Sequence, residues 1–282
     1  MKRTYAQCHM PGSPKTTLIS PASEESPAGW GERLVKSSER VRDIGEVFTP
    51  SATVRAMLDL LPGDVWTPHP PRTFFEPACG DGNFLVAILQ RKLAAIGELH
   101  RDARLPAGAT TEAVQFHALE ALASIYAVDI SVDNVVGGTP GHEIGARQRL
   151  LNTLFEWHRM TLGTAPNSRA RINKAATWIV EHNILVGNML AADAAGRPTG
   201  RERLPLIEYE FVPASRTAAL GLTMIGAAIE AAKAESSGEL SLFGLAQPAA
   251  LWSGPALDLA SADRIVAPKL KGPARNGAGT RR

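Results

Sequence analysis

Two glycines within residues 75–85 form the pattern in this sequence that most clearly suggests ligand binding. The segment reads Phe-Glu-Pro-Ala-Cys-Gly-Asp-Gly-Asn-Phe-Leu, with the glycines at Gly80 and Gly82. Glycine permits tight turns and a close approach of the backbone to a ligand. The helix predicted to follow would point its N-terminus at the same place. Because a bare Gly-x-Gly occurs in many tight turns, the complete string carries the specificity.

An acidic residue, Asp129, ends a second apolar segment that reads Ser-Ile-Tyr-Ala-Val-Asp. An acid at the end of a strand is often a cap or turn residue. Placed after a glycine loop in the same α/β pattern, however, a carboxylate there accepts hydrogen bonds from the ribose hydroxyls of a nucleoside. The sequence therefore predicts a nucleoside-containing ligand at the glycine loop, with Asp129 accepting from its ribose hydroxyls.

The elements that would position these residues alternate between strand and helix. Strands are predicted at 73–77, 124–129, 184–186 and 206–211, and helices after Pro50, over about 85–96, near 141–160 and near 168–181. This alternation predicts an α/β fold, a parallel sheet with helices on both faces. In such sheets ligands bind at the carboxyl ends of the strands.

The organisation of the chain is predicted from its changes in composition. Residues 1–29 and 235–282 are rich in small and polar residues and are interpreted as disordered tails flanking a domain at 30–213 and a helical segment at 214–234. The stretch from Ser261 onward holds six basic residues and one acidic residue. Such a tail contacts nucleic-acid phosphates in some proteins and is only solvated in others.

Composition limits the classes of protein that fit. The 282 residues have a formal net charge of only +2, so any contact with DNA must come from a local patch. Cys8 and Cys79 are the only cysteines, which excludes a disulfide framework and favours a reducing cytoplasm. No signal peptide and no apolar run long enough for a membrane helix is predicted.

Three motifs, in order along the chain, carry a family resemblance. Residues 76–85 resemble the first motif of S-adenosylmethionine (SAM)-dependent DNA methyltransferases, Asp-Pro-x-Cys-Gly-Ser-Gly-x-Phe-Leu, from which Glu76 and Asp81 depart mildly. Gly-Glu-Val-Phe-Thr-Pro at 45–50 resembles the motif that precedes this loop in the family. Val-Asp-Ile at 128–130 resembles the second motif. The chain is thus similar to the adenine-N6 enzymes over residues 30–213.

The resemblance implies a Rossmann-like SAM-dependent methyltransferase sheet and a set of cofactor-binding residues. Phe48 would form an aromatic wall, Thr49 would bind the methionine carboxylate, and Ile130 would pack on the adenine. Asn188 stands where the family usually has Asp, and its oxygen would accept a hydrogen bond from the adenine amine. The complete cofactor set is Phe48, Thr49, Pro50, Glu76, Ala78, Gly80, Gly82, Asn83, Phe84, Asp129, Ile130 and Asn188.

The catalytic motif of the family, Asn/Asp-Pro-Pro-Tyr/Phe, does not occur in the sequence. The only Pro-Pro pair, Pro70-Pro71, precedes the glycine loop and has no Asn or aromatic neighbour. Catalytic residues are therefore unassigned, and two hypotheses remain. The first is an adenine methyltransferase acting on double-stranded DNA, or the cofactor-binding part of one. The second is an inactive or split subunit that binds SAM or DNA and is completed by a second chain. The Phe-Thr-Pro motif argues against a third, a methyltransferase for a small molecule or a protein.

Two further features of the sequence bear on partners and on metal binding. Glu-Leu-Ser-Leu-Phe at 239–243 resembles the peptide by which bacterial DNA enzymes dock on the sliding clamp, through Leu240–Phe243, although such apolar clusters also pack on their own domain. Cys79 is expected to be a small packing residue. His117, His158 and His182 show no metal-ligand spacing in the sequence, so no metal site is predicted.

Overall fold

The structure is a computed structural model that describes residues 36–44, 46–105, 110–138, 144–196, 199–214, 216–230 and 257–258. All of these belong to one unit, Leu34–Arg282, and the other unit, Met1–Arg33, is not described. The predicted tails and the clamp-like segment 239–243 lie outside the described residues, apart from residues 257–258.

The elements follow one another in a mixed α/β order. The helices are α1 Ser38–Ile44, α2 Ser51–Leu58, α3 Asn83–Arg101, α4 Thr111–Ala123, α5 Val132–Val135, α6 Ala146–Leu162, α7 Arg171–Asn183 and α8 Gly200–Arg203, with a short 3-10 helix at Gly63–Trp66. The strands are β1 Phe74–Glu76, β2 Ile125–Asp129, β3 Ile184–Val186, β4 Pro205–Val212, β5 Thr217–Met224 and β6 Leu257–Asp258.

Strands β1, β2 and β3 form the parallel sheet that the sequence predicts. Their order is β1-β2-β3, with Glu76 opposite Ala127 and Asp129 opposite Val186. All five residues of β2 are buried, as expected for a central strand of a parallel sheet. Since parallel strands end on the same edge, the residues that follow Glu76, Asp129 and Val186 lie near one another.

Helices α3, α4, α6 and α7 contribute most of the apolar core around this sheet. Leu85, Leu89, Leu93 and Ile96 of α3 are almost fully buried, at the spacing that one helical face requires. Helix α4 was not predicted from the sequence. Ten of its 13 residues are buried, so apolar residues occupy nearly every face of the helix and do not form one stripe.

A second sheet follows β3, and its position corrects one expectation. Strands β4, β5 and β6 are antiparallel and form their own sheet, so β4 does not extend the parallel sheet. The predicted helix at 214–234 is wrong over Thr217–Met224, which is strand β5, whereas residues 225–230 are helical. Eight paired residues of β4 and β5 override the helical propensity of the alanines in this segment.

One buried hydrogen bond joins the two sheets, and a second, part-buried one joins β4 to α7. The hydroxyl of Tyr126 on β2 donates to the carbonyl of Ile207 on β4 at 2.6 Å, and that of Tyr209 donates to Oδ1 of Asn183 at 2.9 Å. Asn183 also donates to the carbonyl of Ala123 at 2.8 Å, which ties α7 to the end of α4. None of the helices in the described ranges has the length and apolar character needed to cross a bilayer.

Candidate cofactor site at the carboxyl end of the parallel sheet

Backbone hydrogen bonds join the loops that leave the three parallel strands. The amide of Cys79, in the β1–α3 loop, donates to the carbonyl of Val128 at 3.0 Å. The amide of Gly187, just after β3, donates to the carbonyl of Asp129 at 2.9 Å. The glycine loop, the end of β2 and the end of β3 therefore meet at one edge of the sheet, where the sequence predicts the ligand.

The carboxylate of Asp129 links the glycine loop to the turn after β2. Its Oδ2 accepts from the amide of Gly80 at 2.8 Å. Its Oδ1 accepts from the amide of Ser131 at 2.8 Å and from Nδ2 of Asn134 at 3.1 Å. Because an ionised carboxylate offers about four acceptor positions, three protein donors leave about one for a ribose hydroxyl.

Both loop glycines adopt left-handed backbone conformations, and both lie against protein atoms. Gly80 has φ +54°, and a Cβ built there would lie 3.0 Å from Cε1 of Phe48. Gly82 has φ +94°, and its Cβ would lie 3.0 Å from Cβ of Ala146, at the start of α6. The sequence predicts that these glycines let the backbone approach a ligand. In the structure the space that a Cβ would fill is instead occupied by Phe48 at Gly80 and by the start of α6 at Gly82.

Residues 46–50 of the upstream motif cover the glycine loop. Phe48 is buried with its ring against Gly80, and the carbonyl of Thr49 accepts from Nδ2 of Asn83 at 3.0 Å. Helix α2 begins at Ser51, directly after Pro50 as the sequence predicts, with Pro50 at the N-cap and no side chain capping the helix. The motif and the loop are therefore in direct contact, although Thr49 and Asn83 are 34 positions apart in the sequence.

Arg149 on α6 holds the glycine loop from the other side, a contact that the sequence did not reveal. One guanidinium nitrogen donates to the carbonyl of Asp81 at 2.9 Å and pairs with the Asp81 carboxylate at 2.8 Å, and the other donates to Oδ1 of Asn83 at 2.7 Å. Burial raises the pKa of Asp81 above its ordinary value, although the charge of Arg149 opposes this. Asn83 thereby bridges Arg149 and Thr49.

A polar cluster fastens α1 and Glu46 to the turn after β2. Nε of Arg40 donates to Glu46 at 2.7 Å, and its Nη1 donates to Asp133 at 2.9 Å. Lys36 donates to Oδ1 of Asn134 at 2.7 Å, and Nδ2 of Asn134 donates to Glu46 at 2.9 Å. Burial raises the pKa of Glu46, but the hydrogen bonds from Arg40 and Asn134 outweigh it and lower the pKa below its ordinary value.

The other predicted site residues lie along the same edge. Glu76 ends β1, and its Oε1 accepts from the amide of Ala78 at 3.1 Å. Phe84 is partly buried against the core. Ile130 is 60% exposed beside Asp129, and Asn188 is exposed, with its Oδ1 accepting from the amide of Leu190 at 2.9 Å. The Asn188 oxygen therefore caps its own turn and keeps one lone pair for a further donor.

The thiol of Cys79 is a buried packing group within this loop. Burial and the nearby carboxylate of Asp129 raise its pKa well above the ordinary value for cysteine. Since the thiolate is the reactive form, the thiol is inert at neutral pH. This agrees with the expectation of a small packing residue.

The histidine assignments need one correction. His117 and Glu120 are three residues apart on α4, and with His69 they form a group whose possible ligand atoms lie within 4.8 Å of one another. The sequence predicts no metal-ligand spacing around His117, whereas in the structure Oε2 of Glu120, three residues later, lies 2.9 Å from its Nδ1. The i, i+3 spacing of His117 and Glu120 was available in the sequence, but the contribution of His69, 48 residues before His117, was not.

Comparison with known proteins does not add a relative. No protein-family model, no curated protein and no solved structure matches this chain.

Proposed function

We propose that this chain binds SAM on the β1–α3 loop and serves as the cofactor-binding part of an adenine-N6 DNA methyltransferase. The observation that carries the proposal is the hydrogen bond between the Asp129 carboxylate and the amide of Gly80, with Phe48 packed on the same glycine. Three motifs that resemble this family in order along the chain thus also lie together in space.

The chemistry of the site fits the parts of SAM. The Asp129 carboxylate lies where ribose hydroxyls are bound in nucleotide-binding α/β sheets. Ile130 is exposed next to it, Val186 is exposed at the end of β3 and Leu190 is exposed just after it, so apolar side chains are available near this carboxylate for an adenine ring. The N-terminus of α3 faces the loop and favours the negative charge of the methionine carboxylate. The proposal includes a Rossmann-like sheet with helices on both faces.

SAM would supply the methyl group, and duplex DNA with a flipped adenine would be the acceptor. The residues of this chain hold and orient the cofactor in the proposal. Asp129 fixes the ribose, while Arg149 and Asn83 hold the loop in the conformation that presents its amides. No residue is assigned to the transfer step, because the tetrapeptide that accepts the amine hydrogens in this family is absent from the sequence.

A second candidate, a SAM- or DNA-binding subunit completed by another chain, is favoured by a specific observation. After β3 the chain enters the antiparallel β4–β5 pair, and β1 is an edge strand of the parallel sheet in the described residues. A catalytic strand from a second chain would have an edge on which to pair. An adjoining reading frame that encodes Asn-Pro-Pro-Tyr would favour this candidate over a single-chain enzyme.

Calorimetric titration of SAM into the full chain, beside Asp129→Ala and Asp102→Ala, tests the cofactor proposal. Asp102 caps the far end of α3 and pairs with Arg104, so its removal controls for the loss of one carboxylate. We expect saturable binding that Asp129→Ala weakens at least tenfold, about 1.4 kcal/mol, while Asp102→Ala leaves it unchanged. Equal affinities for both variants would overturn the ribose assignment.

A further inference from the structure

Two histidines and a glutamate converge at the opposite end of the parallel sheet. His69 lies in the segment before β1, and His117 and Glu120 lie on one face of α4. Nδ1 of His69 is 2.6 Å from one carboxylate oxygen of Glu120, and Nδ1 of His117 is 2.9 Å from the other. The three possible ligand atoms lie within 4.8 Å of one another.

The burial of this group calls for a functional or structural explanation. His117 and Glu120 are completely buried, and Nε2 of His117 has no hydrogen-bond partner in the structure. A buried carboxylate is costly unless it is paired, and here two imidazoles pair with it. The unpaired Nε2 of His117 is a separate cost, which coordination through Nδ1 would not relieve. Two imidazoles and one carboxylate are also the protein ligands of many zinc sites that keep a fourth position open.

A cavity of about 270 Å³ adjoins the group. His69 and Glu120 line it, together with Thr73 and Ser124, which precede β1 and β2, and Tyr209 of β4. The cavity therefore lies at the amino ends of the strands, away from the glycine loop. It offers an entry path and room for a water molecule as an additional ligand.

The charges near the group act in both directions. Glu210, on the cavity wall, adds a second carboxylate that favours a cation. Lys92 is buried and interacts electrostatically with Glu120, and its ammonium donates to the carbonyl of Arg72 at 2.7 Å. Lys92 opposes a cation, so binding must depend on direct coordination by the three ligands instead of on a negative field.

We propose that His69, His117 and Glu120 bind one divalent transition-metal ion, and that Zn²⁺ is the best match for this ligand set. In the proposal the metal takes the place of the two hydrogen bonds between the rings and the carboxylate. Tetrahedral zinc with bonds of about 2.0–2.1 Å sets its ligand atoms about 3.3 Å apart, so each ring must move from the carboxylate by roughly 0.4–0.8 Å. His69 is the ligand with most freedom to do so, since it is partly exposed.

The site has a structural consequence. His69 belongs to the segment between the 3-10 helix and β1, whereas the other two ligands belong to α4. A bound metal would fasten that segment to the buried helix and close one wall of the cavity. The proposal is independent of SAM binding, because the two sites lie at opposite ends of the sheet.

Metal stoichiometry of the full, tag-free chain tests the proposal. Cys8 and His9 are adjacent in the sequence and could bind a metal by themselves, so the reference protein carries Cys8→Ser and His9→Asn. Equilibrium dialysis with Zn²⁺ is expected to give one equivalent per chain, and Co²⁺ is expected to give the visible absorption of a tetrahedral site. His69→Ala and Glu120→Gln are each expected to weaken Zn²⁺ binding at least tenfold.

The control variant is His182→Ala, which removes a histidine of α7 that stacks on Trp178 outside the cluster. It is expected to bind Zn²⁺ like the reference protein. His69→Ala changes the most accessible ligand, and its circular dichroism spectrum and thermal unfolding report whether it folds. Three results would overturn the proposal: no stoichiometric binding at submillimolar Zn²⁺, unchanged affinity in a folded His69→Ala protein, or equal losses in His69→Ala and His182→Ala.

Discussion

Gly80→Ala is expected to destabilise the protein substantially more than Gly163→Ala. Both glycines have positive φ, +54° and +78°, so alanine meets a similar backbone penalty of about 1–2 kcal/mol at each. At Gly163, at the end of α6, a Cβ would have no atom within 4 Å, whereas at Gly80 it would lie 3.0 and 3.1 Å from two ring carbons of Phe48.

The difference between the two variants measures the contact with Phe48. Carbon atoms prefer separations of about 3.5–4.0 Å, and the Phe48 ring is buried, so it cannot move freely into solvent. Overpacking of this kind costs about 1–3 kcal/mol. The restriction of the unfolded chain by alanine is the same in both variants and cancels in the comparison. We therefore expect Gly80→Ala to lose about 1–3 kcal/mol more than Gly163→Ala.

Urea unfolding followed by tryptophan fluorescence measures both variants. A double-mutant cycle with Phe48→Leu is expected to recover at least ~0.5 kcal/mol of the Gly80→Ala loss, because the smaller side chain relieves the contact. Equal losses in Gly80→Ala and Gly163→Ala, or no coupling with Phe48→Leu, would refute the packing of the upstream motif on the glycine loop.

Two further predictions concern charged residues. Arg149→Met removes the hydrogen bonds to Asp81 and Asn83 and is expected to lower the free energy of unfolding by about 1–3 kcal/mol and to weaken SAM binding. The control is Arg159→Met, which removes an exposed ion pair with Glu156 and should leave both quantities unchanged. Equal effects of the two substitutions would contradict the role of Arg149. Burial lowers the pKa of Lys92 from 10.5 in the unfolded chain to about 8 in the folded protein. Below pH 8 the ammonium is therefore charged in both the folded and the unfolded state, and the folded state is destabilised by the full cost of burying that charge. Between pH 8 and 10.5 only the unfolded state stays charged, so wild-type stability should rise relative to Lys92→Met by up to about 3 kcal/mol, and parallel pH profiles of the two proteins would contradict this.

The sequence predicts the parallel sheet well because its strands combine apolar runs with clear punctuation. Strands β1, β2 and β3 lie within one residue or so of their predicted positions, and the glycine loop and Asp129 lie at the same end of the sheet. The predicted helices near 141–160 and 168–181 correspond to α6 and α7, with shifts of a few residues at their ends. Apolar periodicity identifies the elements more surely than their boundaries.

The elements that were missed lack that periodicity or depend on distant contacts. Helix α4 is buried on nearly all sides, so it has no polar face to reveal its period. Strand β5 forms because it pairs with β4 through cross-strand hydrogen bonds, and the alanine-rich sequence of β5 alone does not indicate that pairing. The contact of Arg149 with Asp81 joins residues 68 positions apart. No local pattern could place that guanidinium on the glycine loop.

Hydrogen exchange with and without SAM is the most direct test of the central claim, that the junction of the glycine loop and Asp129 is the cofactor site. Backbone amides of Gly80 and Ser131 already donate to Asp129, and a bound nucleoside would hold that arrangement closed. We predict that saturating SAM slows exchange in peptides covering 76–84 and 129–134, while peptides from the β4–β5 pair stay unchanged. Unaltered exchange in both peptides at millimolar SAM would contradict the account.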